Sequence, residues 1–185
     1  EILEKAANEA ERAGKILRGM RRFVEKREVE RRPVAIHEVI HEAIDLMAQS
    51  LVERSIDVQL SFVKGEPMVS ADPVQIQQVL INLIRNAMNA LQAQNKPRIM
   101  VETGIKDRIL KLGVEDNGPG LDHEIVPTLF RAFSSSGGGG MGLGLAISRS
   151  IARRHEGDLV LGKAGQLGGA RFDLTLPLIT GPDDG

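Results

Sequence analysis

The sequence predicts an α/β two-layer sandwich, in which helices cover one face of a mixed β-sheet, preceded by a long coiled-coil-like helix. Apolar residues recur every three or four positions at the start of the chain, and helical and strand patterns follow one another after residue 33. In addition, 42% of the 185 residues are hydrophobic, which supplies a sizeable core. Helices and strands mixed in this way pack as layers around that core.

The first segment has a narrow apolar seam, formed by Leu3, Ala6, Ala10, Ala13, Leu17, Met20 and Val24. We interpret residues 2–27 as one helix of an oligomeric bundle; the alternative is a lone helix folded back on its own domain. Charged residues and then Pro33 end the pattern, because proline disfavours helix at the residue before it. We therefore predict a helix and linker over 1–32, a compact domain over 33–179 and a tail over 180–185.

The compact domain is predicted to begin with a helix and then to mix strands with helices. Helices are expected over 37–53, 72–92, 124–130 and 143–154, and strands over 56–62, 99–105, 110–114, 158–162 and 170–177. Asp72 and Pro73 suit the cap and the first turn of the second helix. We expect Gly157 to cap the last helix, and the charged form of His155 to be favoured at its C-terminal end.

Composition narrows the functional classes. Lys and Arg number 24 against 25 Asp and Glu, a net charge of -1, and there is no Trp or Tyr, so we expect no nucleic-acid binding. The lack of cysteine excludes disulfides and fits a reducing compartment. No apolar run approaches the roughly 20 residues that span a bilayer, so we expect a cytoplasmic location without direct membrane contact. Because the chain does not begin with Met, we interpret it as a piece of a longer protein, whose membrane anchoring stays open.

The predicted helix after Asp72 carries an amide-rich face beside its apolar stripe, formed by Gln75, Gln78, Asn82, Asn86 and Asn89. Asn inside a helix costs about 0.5 kcal/mol relative to good helix formers, so three of them require another reason. Asn82 and Asn86 are four residues apart, so their oxygens can face one cleft and hold Mg2+ together with phosphate oxygens. The alternative is a solvated polar face.

Two glycine-containing loops complete the candidate site. Asp116 follows a strand and opens the loop Asp-Asn-Gly-Pro-Gly, where its carboxylate can accept a hydrogen bond from adenine; the alternative is an ordinary turn. Residues 140–145, Gly-Met-Gly-Leu-Gly-Leu, open a helix whose N–H groups can bind phosphates. This loop is not a Walker A motif, since no Gly-Lys-Ser/Thr follows. The glycine run over 137–140 is interpreted as a mobile lid or as low-complexity filler.

The order of these elements resembles the ATP-binding domain of sensor histidine kinases, the Bergerat-type fold shared with gyrase B, MutL and the heat-shock chaperone ATPase. The resemblance covers about residues 34–178. The segments that resemble the family's N, G1, F and G2 boxes are 78–91, 114–121, 129–133 and 140–148. The sequence Leu-Phe-Arg-Ala-Phe, followed by a short lid, is closest in spacing to FixL-like kinases.

The resemblance implies ATP and Mg2+ as cofactors and a role for each motif. Asn86 is the expected Mg2+ ligand, with Asn82 supporting the metal or the phosphates, and Asp116 binds the adenine amine directly and through water. Gly118 and Gly120 are expected to shape that pocket. The phosphate side is expected to be lined by Gly140, Met141, Gly142, Leu143, Gly144 and Leu145.

Two departures from the family pattern bear on the chemistry. Position 82 carries Asn where the related ATPases have a glutamate that activates water, which favours holding ATP for another acceptor over hydrolysing it. The lid lacks the lysine of related lids, so Arg131 or Arg85 is the candidate phosphate cation; the alternative for each is a surface arginine. Arg131 therefore joins Asn82 and Asn86 as a candidate catalytic residue.

No histidine of the chain is placed as a phosphoacceptor, which the resemblance expects on a helix preceding Glu1. His37, Glu38 and His41 match a HExxH zinc motif, although a partly exposed helical face is the preferred interpretation. The resemblance predicts a histidine protein kinase that is homodimeric through the N-terminal helix, with a response-regulator receiver domain as partner. The alternatives are an ATP-hydrolysing relative and a nucleotide-sensing or dimerisation module without phosphotransfer.

Overall fold

The computed structural model describes residues 30–132 and 142–179. The predicted N-terminal helix, the glycine-rich lid and the tail lie outside the described residues. The elements in chain order are β1 (Arg32–Ala35), α1 (Ile36–Glu53), β2 (Asp57–Ser61), β3 (Met68–Ala71), α2 (Pro73–Ala90), β4 (Arg98–Lys106), β5 (Ile109–Asp116), a 3-10 turn (Val126–Thr128), α3 (Gly144–Arg154), β6 (Asp158–Leu161) and β7 (Arg171–Pro177).

Five strands form one mixed sheet in the order β2-β4-β5-β7-β6. β2 runs parallel to β4, and the other neighbouring pairs are antiparallel. At the start of the central strand β5, Leu110 and Leu112 are buried, whereas Ile109 and Lys111 are exposed, as expected when alternate side chains face the helices. The predicted mixed sheet covered by helices is therefore confirmed.

Helix α2 lies at the centre of the helical layer and packs against both α1 and α3. Its apolar stripe is fully buried, including Ile76, Leu80 and Leu83. Its predicted start is confirmed, because the Asp72 carboxylate accepts hydrogen bonds from the N–H groups of Val74 and Gln75. This cap and the buried stripe hold the amide-rich face of the same helix in a defined direction.

The sequence prediction missed a second, two-stranded sheet in which β1 pairs antiparallel with β3. Each strand has four residues, and β1 contains Pro33, which argues against a strand when only the sequence is considered. The ribbon joins the segment before α1 to the segment before α2. The predicted linker before residue 33 therefore leads directly into a β-strand.

The end of α3 corrects two predictions. The residue with positive φ after the helix is Glu156, not Gly157. Gly157 is required for another reason, since a Cβ there would lie 1.8 Å from the Thr175 carbonyl oxygen of β7. His155 is not a charged helix end: it is 1% exposed, its Nδ1–H donates to the Ile151 carbonyl, and its Nε2 accepts from the Asp72 N–H. Burial lowers the pKa of His155, so the neutral form is favoured.

Within residues 30–132 and 142–179, no helix is long and apolar enough to cross a bilayer.

Candidate functional site

The site is organised along one face of α2, on which Asn82, Asn86 and Ala90 recur every four residues. A Cβ at Gly144 would lie 2.3 Å from the Asn82 Oδ1, and a Cβ at Gly118 would lie 3.1 Å from the Ala90 carbonyl oxygen. The two glycine loops therefore contact the same helix face about 12 Å apart, eight residues at 1.5 Å each. Asn86 lies between them.

Asn82 connects α2 to α3 instead of lying free in a cleft. Its Nδ2 donates a 3.0 Å hydrogen bond to the hydroxyl of the buried Ser148, which lies about one helical turn after Gly144 in α3. Its Oδ1 occupies the space that a side chain at position 144 would need. The expectation that Asn82 and Asn86 both offer oxygens to one cleft therefore needs revision: Asn82 joins α2 to the first turns of α3.

Asn86 is half-buried, and its side chain makes no hydrogen bond to another residue of the described chain. An amide oxygen is a suitable Mg2+ ligand, and this ion commonly takes one or two protein ligands, waters and phosphate oxygens. The described residues contain no group of three or more His, Cys, Asp or Glu that could hold a metal. The donor set thus fits Mg2+ bound together with a nucleotide, and the role of Asn86 as its ligand stays a prediction.

Asp116 ends β5 and is 3% exposed. The N–H groups of Gly118 and Ala170 donate to its Oδ1 at 2.8 and 3.3 Å, and neither of these bonds uses Oδ2. Burial raises the pKa of Asp116, while both backbone hydrogen bonds act in the opposite direction by favouring the carboxylate. The arrangement leaves one carboxylate oxygen able to accept a hydrogen bond from an exocyclic amine.

The loop after Asp116 is shaped by its glycines and by an interaction that the sequence analysis missed. A Cβ at Gly118 would lie 2.8 Å from Asp116 Oδ1, and Gly120 has a φ of 79°, which favours glycine. The Asn117 side chain accepts from the Arg98 N–H at 2.7 Å and donates to the Lys96 carbonyl at 2.9 Å. Asn117 therefore anchors the loop to the start of β4.

The predicted phosphate side includes the N-terminus of α3. Gly142 has a φ of 62°, and Leu143, the N-cap residue, provides no side-chain hydrogen bond to the helix. The first turn contains no acidic residue, so its N–H groups can bind an anion at the positive end of the helix dipole. Leu145 packs against the core, which leaves only its backbone for a ligand. Gly140 and Met141 lie outside the described residues.

The segment that leads to the lid is attached to α3 through an aromatic contact. The Phe130 ring lies edge-on to Phe172 at 6.4 Å, and the Arg149 guanidinium lies 4.8 Å from the Phe130 centroid. Arg149 also donates two hydrogen bonds to Asp158, at 2.8 and 3.0 Å. Arg131, the candidate catalytic cation, is exposed one residue after Phe130. Its role stays a prediction.

The zinc interpretation of His37, Glu38 and His41 is wrong. The His37 Nε2 is 3.0 Å from the Thr103 hydroxyl, its Nδ1 is 3.5 Å from Glu66 Oε2, and its ring stacks on Phe62 at 4.3 Å. Both ring nitrogens therefore have protein partners, and the motif belongs to the packing between α1 and the sheet.

Comparisons with known proteins agree with this geometry. A model of the family described as histidine kinase-, DNA gyrase B- and HSP90-like ATPase matches residues 71–180. The sensor protein FixL of Bradyrhizobium diazoefficiens is 39% identical over 176 residues, 95% of this chain and 35% of FixL. The C4-dicarboxylate transport sensor protein DctS of Rhodobacter capsulatus is 36% identical over 184 residues, 96% of this chain and 27% of DctS. The chain thus spans about a third or less of these relatives.

Solved structures of histidine kinases share the fold. ThkA in complex with the response regulator TrrA superposes with a TM-score of 0.77 at 25% identity, covering 94% of this chain and 49% of that one. Full-length ShkA in complex with AMPPNP gives 0.75 at 26% identity, covering 90% and 35%. The predicted Bergerat-type fold and the resemblance to sensor histidine kinases are both confirmed. The chain belongs to the family of histidine kinase-, DNA gyrase B- and HSP90-like ATPases, within which it is an ATP-binding catalytic domain of the histidine-kinase type.

Proposed function

We propose that this chain binds Mg-ATP and presents the γ-phosphate to a histidine that lies outside it, as the catalytic part of a sensor histidine kinase. One observation carries the proposal: the Asp116 loop and the N-terminus of α3 contact the same face of α2, on either side of Asn86. A nucleotide lying along this face would have its base at one loop and its phosphates at the other.

Each part of the site has one proposed task. Asp116 accepts a hydrogen bond from the adenine amine, and Gly118 and Gly120 let the base lie against backbone. The N–H groups at Gly144 and Leu145, together with residues 140–143, bind the phosphates. Asn86 ligates Mg2+, which neutralises phosphate charge, and ATP supplies the transferable phosphoryl group.

Position 82 favours phosphoryl transfer over hydrolysis. An amide cannot take a proton from water, and the Asn82 side chain is occupied by Ser148 and Gly144. Its task is to position the phosphate-binding turn, so that catalysis depends on orientation and charge neutralisation. We infer that Arg131, exposed beside the lid segment, supplies part of that charge at the γ-phosphate.

We also propose the wider context of the reaction. ThkA has been solved with a response regulator, which supports a receiver-domain aspartate as the final acceptor. Residues 1–32 are proposed as the dimerisation helix and linker, residues 33–179 as the catalytic domain and residues 180–185 as a tail. Homodimerisation through that helix and a cytoplasmic location are part of this proposal.

Calorimetric titration with AMPPNP, with and without Mg2+, tests the site. We expect the unmodified chain to bind more tightly with Mg2+, Asp116→Asn to lose most binding, and Asn86→Ala to lose only the effect of Mg2+. Asp45→Asn and Asn95→Ala, exposed residues away from the site, are matched controls and should behave like the unmodified chain. If the folded, unmodified chain does not bind AMPPNP, the proposal is wrong.

Phosphotransfer needs a separate test. The chain is mixed with labelled ATP and a purified helical hairpin of a related kinase that carries the acceptor histidine. Acid-labile label on the hairpin, lost in Asn86→Ala, supports a kinase. Binding of AMPPNP without any transfer would instead favour a nucleotide-sensing module, and release of free phosphate without the hairpin would favour an ATPase.

A further inference from the structure

Glu115, next to the proposed adenine ligand, is a buried carboxylate with no task in the site described above. It is 1% exposed, although glutamate is rarely buried without specific partners. Its Oε1 accepts three backbone hydrogen bonds, from the N–H groups of Gly165, Leu167 and Gly168, at 2.7, 3.0 and 2.9 Å. All three donors belong to residues 162–170, which connect β6 to β7 and which we call the β6–β7 loop.

The same loop continues directly onto Asp116. The N–H of Gly169 donates to the Asp116 carbonyl at 3.0 Å, and the N–H of Ala170 donates to Asp116 Oδ1 at 3.3 Å. A Cβ at Gly169 would lie only 2.5 Å from that Oδ1. Five of the six residues 165–170 thus donate first to Glu115 and then to Asp116, and the last of them donates to the carboxylate that is proposed to bind adenine.

Arg171, the first residue of β7, holds Glu115 from the other side. Its Nη1 lies 3.8 Å from Glu115 Oε2, its Nη2 lies 2.6 Å from Glu102 Oε1, and its Nε donates to Asp173 Oδ1 at 2.8 Å. Arg171 is itself 8% exposed. The Glu115 carboxylate therefore lies between the backbone of the loop, which donates to Oε1, and a buried cation that faces Oε2 without a hydrogen bond.

We propose that Glu115 is a positioning residue for adenine recognition: it folds the β6–β7 loop so that the Ala170 N–H holds one oxygen of Asp116 and leaves the other for the base. This inference rests on the proposed function, in which Asp116 accepts from the 6-amino group. It extends that function to a residue on the opposite side of the strand, which does not touch the nucleotide.

The test compares the affinity for ATP with that for purine riboside triphosphate, which lacks the 6-amino group. The Glu115→Ala variant removes the acceptor of three N–H groups, so the loop loses its anchor. We expect its affinity for ATP to fall about tenfold, the equivalent of one hydrogen bond to a charged group, while that for the analogue changes little. The preference for ATP therefore falls about tenfold. A general loss of protein stability would weaken the binding of both nucleotides alike.

Three further variants make the result specific. Glu115→Gln keeps an acceptor oxygen and should retain part of the preference. Gly169→Ala leaves Glu115 intact but displaces Asp116, and should lose the preference as Glu115→Ala does. Glu102→Gln removes another partner of Arg171 that does not contact the loop, and should keep the preference. If Glu115→Ala does not fold, as judged by circular dichroism, Glu115→Gln decides the outcome.

The outcomes separate this inference from the proposed function. If the unmodified chain does not prefer ATP over the analogue, or if Asp116→Asn retains that preference, adenine recognition by Asp116 is wrong. If both behave as proposed but the Glu115 variants keep the full preference, only the positioning role of Glu115 is overturned, whatever Gly169→Ala does.

Discussion

The loop after Asp116, the proposed adenine side of the site, is held by buried hydrogen bonds, whereas the N-terminus of α3, the proposed phosphate side, has no side-chain cap from Leu143. Asp116 is 3% exposed and is hydrogen-bonded to Gly118, Gly169 and Ala170, so its carboxylate has little freedom. Leu143 leaves the first turn of α3 without a side-chain cap. A hydrogen bond from Asn82 to Ser148 joins this end of α3 to α2. In the proposed function, the base would meet a prearranged acceptor, and the phosphates would bind the N–H groups at the start of α3.

If the adenine side is rigid, adding one methyl group there should have the largest effect. Gly118→Ala places a Cβ 2.8 Å from Asp116 Oδ1, which two hydrogen bonds hold, and 3.1 Å from the Ala90 carbonyl oxygen, which belongs to the backbone. Overpacking of this kind costs about 1–3 kcal/mol, so the affinity for AMPPNP should fall up to about a hundredfold by calorimetry. Gly104→Ala is the matched control, because nothing lies within 4 Å of its Cβ. Equal affinity in the two variants would contradict the difference in rigidity.

Adding a methyl group on the proposed phosphate side should have a smaller effect on nucleotide affinity, and this effect should depend on Asn82. Gly144→Ala puts a Cβ 2.3 Å from Asn82 Oδ1, the end of a side chain that can turn away at the expense of its bond to Ser148. We expect the affinity for AMPPNP to fall about tenfold and that for adenosine to stay the same. Asn82→Ala combined with Gly144→Ala removes the clash, so the two changes should not be additive. Simple additivity in a double-mutant cycle would show that Asn82 does not position this turn.

Both sides of the site depend on a second contact between α2 and α3. The N-terminus of α2 meets the C-terminus of α3, where neutral His155 accepts a hydrogen bond from the Asp72 N–H. Burial lowers the pKa of His155 below its ordinary value of 6.5, so the unfolded chain binds more protons than the folded one in the interval between the two values. The stability that neutral His155 contributes is complete above about pH 6.5 and is lost as the pH falls below it. In the acid range, His155→Gln should reduce the slope of the unfolding free energy against pH by at most about 1.4 kcal/mol per pH unit.

Urea titrations from pH 5 to 8 measure that slope. His123→Gln, the same change at an exposed histidine, is the control variant. An unchanged slope in His155→Gln would mean that another group controls acid stability.

The smallest expected effect belongs to the hydrogen bond between the two helices. Ser148→Ala removes the acceptor of Asn82 Nδ2 without adding atoms, and should lower the unfolding free energy by about 1 kcal/mol. The affinity for adenosine should not change, because Asp116 is held by other residues. A larger loss of adenosine affinity than of stability would show that the two sides are coupled through α2.

The sequence predicted much of this architecture because its signals are local. The periodicity of α2, its Asp72 cap and the alternation of β4 and β5 each depend on residues within a few positions of one another. The strands β1 and β3 escaped prediction since four residues carry too little pattern and Pro33 argues against a strand. Arg149, which contacts Phe130, and Asn117, which anchors the Asp116 loop, have no local signal that separates them from surface polar residues.

The sequence by itself determined the kind and order of the elements, the positions of the amide helix and the two glycine loops, and the family to which they belong. Only the tertiary structure decided that Asn82 is joined to Ser148, that His155 is neutral beneath Asp72, and that Glu115 binds the β6–β7 loop. These partners are 66, 83 and about 50 residues apart in the chain. Periodicity and capping act over a few residues, whereas burial, protonation and hydrogen bonding of these groups depend on which distant segments the folded core brings together.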